Sequence, residues 1–221
     1  MRRQRTAYGR RLKTILLVLM AGGLTTPVLP QEAVCNRTIV PGVNLVTFPM
    51  ITPVANAHDV CALFGKTGQA TTLITQYTGS AVQAFTCDQE TAGFPLLASQ
   101  GLGIRIFESG ASATGTITGS HDPNQAVTIP RAGSFPVGHV VYAYPATTCN
   151  PYSTYFCREA GLTLSSDGPL LVRYGPLGTV DAAATCDSDP GFAFRFCGEG
   201  IRISNEVNGP KTFVPRVQPC N

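Results

Sequence analysis

Tryptophan is absent from this chain, and only 13% of its 221 residues are charged, with three histidines and three methionines. That scarcity excludes several chemistries at once. No C-x₂-C pair occurs and no histidine falls near two cysteines in a ligand-like pattern, which removes the usual metal-ligand spacings and leaves no metal or cofactor expected. Gly-x-Ser-x-Gly is missing, and His58, His121 and His139 form no nucleophile, base and orienter set at triad-like spacing. His121-Asp122 sits near Ser112, Ser120 and Ser134, but Asp122-Pro123-Asn124 is turn chemistry and reads as a solvated loop. The carboxylate pairs Asp88 with Glu90 and Asp187 with Asp189 each lie in one turn. A glycosidase acid and base normally come from different elements, which argues against a hydrolytic pair; an oxygen-rich turn leaves calcium binding as an alternative to a plain turn. No catalytic residue is assigned. No basic stripe interleaved with aromatics occurs, which argues against a nucleic-acid partner.

Long apolar runs are also missing. Ile15 to Met20, followed by Ala21-Gly22-Gly23-Leu24, falls short of the roughly 17–25 residues a spanning helix needs. It follows Arg2, Arg3, Arg5, Arg10, Arg11 and Lys13, the plan of a secretory signal peptide. Residues 1–33 are expected to be that signal, or an N-terminal anchor if uncleaved, the chain's one route to a membrane. Cys35 lacks the small-residue context of a lipoprotein cysteine. Without residues 1–33 the chain keeps 10 basic and 12 acidic residues, so the formal +3 becomes about −2.

Apolar residues are plentiful at 43%, enough to build a core. Glycine and proline together number 40, which suits short strands and many turns. Residues 42–131 recur in diverged form at 138–216. Thr86-Cys87-Asp88, Gly93-Phe94 and Gly103-Ile104-Arg105-Ile106 match Thr185-Cys186-Asp187, Gly191-Phe192 and Gly200-Ile201-Arg202-Ile203. Gly42, Pro49 and Cys61 match Gly138, Pro145 and Cys157 at an offset of 96, and Ile129-Pro130-Arg131 matches Val214-Pro215-Arg216. A duplication with this order predicts module 1 at 34–133 and module 2 at 134–221.

Eight cysteines in an exported chain read as a disulfide framework. The repeat pairs Cys61 with Cys87 and Cys157 with Cys186, each tying a short helix to a strand. Cys149 and Cys197 are present only in the second copy and are expected to pair. Cys35 and Cys220, outside both copies, would then bond each other. Each copy opens with an apolar strand stopped by proline, Gly42–Phe48 and Gly138–Tyr144, and then a helix. Asn56 and Gly65, and Asn150, Pro151 and Gly161, carry the helix start and stop signals.

Short β-branched and aromatic runs follow, at 71–78, 81–87, 103–107, 114–118 and 126–129, then 170–174, 179–186, 192–196, 200–204 and 212–217. In Gly-Ile-Arg-Ile the isoleucines face the core and Arg105 or Arg202 faces out. The preceding glycine pairs, Gly101 with Gly103 and Gly198 with Gly200, precede strands and predict a bulge or tight turn. The Ser/Thr/Gly-rich stretch at 110–125 is expected as an extended hairpin or surface loop, and 131–137 as a linker. The predicted fold is mainly β: tandem duplicated β-sandwich or small-barrel modules, each with one short helix and disulfide-bonded.

The opening Gly42-x-Asn44-Leu45-Val46-x-x-Pro49 resembles the G-x-N-L-[IV]-x-x-P strand of repeated β modules in secreted and surface-attached bacterial proteins. That resemblance covers about eight residues and implies an extracellular accessory or structural module with no catalytic residues. The expected function is an exported, non-catalytic binding or structural module at the cell surface or in the periplasm, with a surface protein or glycan as partner. The alternatives are a secreted hydrolase with its site between the modules and a self-assembling envelope component.

Overall fold

A computed structural model describes residues 31–49, 51–78, 81–121, 126–129, 134–137, 153–175, 179–189, 191–193, 200–204 and 210–214. In chain order these form β1 (Gln31–Ile39), β2 (Gly42–Val46), α1 (Ala57–Leu63), β3 (Thr72–Tyr77), β4 (Val82–Thr86), a 3₁₀ turn (Ala98–Gln100), β5 (Ile104–Glu108) and β6 (Ala113–His121). There follow β7 (Val127–Ile129), β8 (Ser134–Val137), α2 (Ser153–Glu159), β9 (Leu170–Tyr174), β10 (Val180–Thr185), β11 (Ile201–Ser204) and β12 (Lys211–Phe213). The chain is mainly β. Two four-stranded antiparallel sheets, β2-β5-β3-β4 and β8-β11-β9-β10, share one strand layout, and two ribbons, β1 with β6 and β7 with β12, complete the pairing.

Period-two burial sets which sheet face meets a core. Ile104, Ile106 and Glu108 of β5 point inward and Arg105 and Phe107 outward, while β3 buries Thr72, Ile74 and Gln76. Helix α1 covers the inner face of the first sheet. Asn56 caps it, its side-chain oxygen accepting from the Asp59 N–H at 3.0 Å while the Asp59 carboxylate accepts from the Asn56 N–H at 3.2 Å, a reciprocal capping box. Gly65, at φ 62°, and Gly161, at φ 63°, take the left-handed conformation that stops α1 and α2. Val60, Cys61 and Phe64 of the first helical region pack with Ile74, Phe85, Ile104 and Ile106.

The far side of α1 is closed by the β1–β6 ribbon, in register from Gln31 opposite His121 to Ile39 opposite Ala113. Ile39 and Ile117 are fully buried in the same core. The Ser/Thr/Gly-rich stretch expected as a hairpin or surface loop is therefore, over 113–121, a nine-residue strand. Its partner is the start of the described chain, and Gln31–Ala33, assigned above to the leader, belong to that partner. At Gly115 a Cβ would lie 2.7 Å from the Leu63 carbonyl oxygen, so the ribbon reaches the helix only because that position is glycine.

A second core gathers Phe156, Cys157, Leu162, Leu171, Ile201 and Ile203, with Leu102 and Ile129 from earlier in the chain. Disulfides join Cys61 to Cys87 and Cys157 to Cys186, with Cα separations of 5.6 and 5.5 Å, in the pairing the matched positions predict. Each links a helix to the residue just after a strand. Cys149, Cys197 and Cys220, and the side chain of Cys35, lie outside the described residues, as do 138–152, where the second opening strand and the Asn150-Pro151 cap were expected. One expectation is corrected: Ser134–Val137, read as linker, is the strand beside β11, with Val137 opposite Ile201. Phe135 and Val137 are apolar alternates, and β11 leaves an edge that they pair.

Replacing Gly115 with valine should destabilise the chain by about 1–3 kcal/mol, the usual cost of forcing bulk into a filled contact. Denaturant unfolding of the oxidised protein would measure it, and an unchanged midpoint would mean that the ribbon does not press on α1.

Candidate functional site

The sequence-predicted polar sites do not assemble. His121 ends β6, opposite Gln31, and Asp122 lies outside the described residues. His58 lies in the first turn of α1. The Asp187 side chain accepts a 2.5 Å hydrogen bond from Thr185 within its own turn. Among the described residues no group of three or more His, Cys, Asp or Glu converges on a metal-sized point, and no helix is long and apolar enough to cross a membrane.

What the fold does bring together is the outward face of each sheet. Arg105 sits between Leu45 on β2 and Thr75 on β3, its cross-strand neighbours, and Tyr77 lies opposite Val82. On the second sheet Arg202 pairs with Val172 and Tyr174 with Val180. The sheets approach where β2 nears β9 and β3 nears β8. The Gly200 N–H donates to the Leu45 carbonyl at 3.1 Å. A Cβ on Gly200 would lie 2.9 Å from Thr47 Cγ2 and 3.0 Å from Leu45 Cβ. Close approach is thus a property of that glycine, which the sequence marked only as a turn or bulge signal.

Between the sheets is a cavity of about 210 Å³. Val43, Leu45 and Val82 supply apolar wall, Tyr77 and Tyr174 aromatic rings, Thr75 a hydroxyl, and Arg105 and Arg202 guanidinium groups, with Gln76 at its edge. The arginines are the matched members of the two Gly-Ile-Arg-Ile segments. The tyrosines end β3 and β9. Among the described residues, no carboxylate, histidine, serine or cysteine is in the lining.

Gln76 is 1% exposed, and its carbonyl oxygen accepts from the Leu97 N–H at 3.3 Å, which fixes the amide orientation. Its amide nitrogen is buried with no hydrogen-bond partner. The residue before Tyr174, Arg173, is fully engaged by contrast. It pairs with Asp181 at 3.0 Å, donates to the Ala193 carbonyl at 2.5 Å and lies over the Phe192 ring at 5.3 Å. The sequence reading found Arg105 and Arg202 as outward residues but missed Gln76, Tyr77 and Tyr174. The one available signal was that Gln76-Tyr77 and Arg173-Tyr174 end corresponding strands.

A second polar cluster is internal to the first sheet. Lys66 and Glu108, both nearly inaccessible to solvent, pair at 3.1 Å. Thr72 donates to Glu108 at 2.6 Å, the Gly110 N–H donates at 2.6 Å, and Lys66 also donates to the Ala111 carbonyl at 2.5 Å. Burial alone raises the Glu108 carboxyl pKa, but the hydrogen bonds from Thr72, Gly110 and Lys66, with the Lys66 charge, outweigh it. The group is held below its ordinary 4.5. With its charged groups closed on each other and on Thr72, Gly110 and Ala111, this cluster is a structural strut.

The chain matches no protein-family model, no curated protein and no solved structure.

Because the folded Glu108 carboxyl is more acidic than the unfolded one, its stabilisation is complete above the unfolded value near 4.5 and is lost as pH falls through the folded value. The stability gap between the native chain and Glu108→Gln should therefore narrow below about pH 4. Lys66→Met, which strands the buried carboxylate, should cost about 3–5 kcal/mol near neutral pH. Unfolding curves across pH would check both, and a gap constant from pH 7 to 3 would contradict the assignment.

Proposed function

We propose that the chain is a tandem pair of diverged, disulfide-bonded β units. It is an exported, non-catalytic binding module at the cell surface or in the periplasm that takes its ligand between the two sheets. The observation that carries this reading is the cavity lining: matched arginines and tyrosines from two sheets converge there.

The duplication rests on more than matched letters. The helices begin 96 residues apart, at Ala57 and Ser153, and the Ala57 and Ser153 N–H groups donate to Phe94 and Phe192 carbonyls. Just past the helices, Lys66 N–H donates to Cys61 and Leu162 N–H to Cys157. In the β7–β12 ribbon Thr128 faces Thr212 and Val127 faces Phe213. Under the match of Ile129 to Val214 those two pairs exchange places, as an approximate two-fold axis requires. The approaches of β2 to β9 and of β8 to β3 exchange in the same way.

The hydrolase reading has no support in this cavity, because acyl or glycosyl transfer needs a base or a pair of carboxylates and the lining offers neither. Export is supported by the two disulfides, which persist in oxidising compartments, and by the charged, then apolar start of the sequence.

Thr75→Trp should fill the cavity from the centre of the first sheet's outward face. In a thermal-shift panel of saccharides, organic acids and short peptides, the native chain should respond to at least one compound. The variant should unfold at the native temperature without ligand and lose that response. Turnover of any panel compound, or a response indifferent to the tryptophan, would sink the binding reading.

A further inference from the structure

We infer that the cavity between the sheets takes one sugar-sized ring bearing an oxyanion, an acidic monosaccharide or the terminal acidic unit of a glycan. The inference rests on the binding reading above and gives it a ligand class.

Charge comes first. Arg105 and Arg202 line the cavity from opposite sheets, and its described lining holds no carboxylate. A guanidinium presents several donors in a planar fork that matches a carboxylate or phosphate, and charge-assisted bonds of this kind are about twice as strong as neutral ones. Arg173, which an internal anion does neutralise through Asp181, does not line the cavity. The two arginines that do are left for something else.

Gln76 bounds the cavity, but its side chain lies with Ile74 on the inward face of β3, where Leu97 holds it, so its amide is no part of the ligand's contacts. The second described depression, beside Val34, Ile51 and Thr118, has no charged residue in its described lining.

Size and shape narrow the class. About 210 Å³ is below the roughly 300–1,000 Å³ of sites for drug-sized ligands, so one ring-sized unit fills it. Tyr77 and Tyr174 with Leu45 offer ring faces and apolar wall to the body of that unit, and the tyrosine hydroxyls and Thr75 can meet its hydroxyl groups. A long polyanion is disfavoured by the net charge of about −2 left without residues 1–33. Thr75 beside Arg105 has Val172 beside Arg202 as its counterpart, so the site is two-fold in its cations but one-sided in its hydroxyl, and the ligand has one orientation.

Titration calorimetry on the oxidised full chain tests this with glucuronate, glucose 1-phosphate, glucose and inorganic phosphate as probes. Glucuronate or glucose 1-phosphate should bind once per chain, at least about tenfold more tightly than glucose or inorganic phosphate. Arg105→Gln and Arg202→Gln, exposed positions whose variants should fold, should each weaken that binding about tenfold or more. Thr75→Val, which removes the one-sided hydroxyl at nearly unchanged volume, should weaken it too. Glucose binding as well as glucuronate would overturn the anionic part, and inorganic phosphate binding as well as either sugar acid would overturn the ring. Failure of both sugar acids overturns the whole inference. In that case a panel response that Thr75→Trp abolishes leaves the binding reading standing, and its absence removes both.

Discussion

A seven-residue helix is too short to hold itself in water, since nucleation costs more than so few hydrogen bonds return. Both helices of this protein have that length, and each persists because a buried cystine fastens its middle to the end of a strand. Cys61 lies in α1, and Cys87 follows β4 immediately. Cys157 lies in α2, and Cys186 follows β10. With the helix fixed, Val60 and Phe64, or Phe156 and Leu162, have a sheet to pack on. The outward faces of the sheets are then free to meet each other.

That division of faces follows from the period of a strand. Once Ile104, Ile106, Ile201 and Ile203 are committed to the helix side, Arg105 and Arg202 must point the other way. The sequence made this much legible, together with both described disulfides, both helices and most strand positions. It could not say what the outward faces look at. Cross-strand register is visible in local alternation, but the approach of two sheets depends on Gly200 against Leu45 and Thr47, residues more than 150 positions apart. The β1–β6 ribbon was only half legible for the same reason. The run at 114–118 reads as a short strand, but nothing local shows that it extends over 113–121 or that residues 31–39 pair with it. The strand at 134–137 was missed because Pro136 and the glycines beside it read as punctuation. A proline is tolerated there because β8 is the outermost strand of its sheet.

The two halves solve one local problem in different ways. In the first, the inward polar groups are Lys66 and Glu108, closed on each other and on Thr72 and Gly110. In the second, Leu162 stands where Lys66 does, and the buried cation is Arg173, held by Asp181 and the Phe192 ring. A register irregularity between Val180 and Ala182 accompanies that pair and sets Asp181 out of the regular ladder. Burying a lone charge is costly, so each cation keeps its anion within the same half. Neither pair is available to a ligand.

Asymmetry of this kind is what a duplicated scaffold needs before it can bind anything that is not itself two-fold. Matched docking of two equal sheets would give a cavity with two equal ends, and a small ligand would have two equivalent orientations in it. In the proposed reading one position beside each outward arginine removes that degeneracy, Thr75 next to Arg105 and Val172 next to Arg202, without disturbing the arginines or the tyrosines. The residues before the tyrosines, Gln76 and Arg173, both turn inward and are held there by Leu97 and Asp181. On that reading the residues held in common supply affinity, and the diverged pair of Thr75 and Val172 supplies direction.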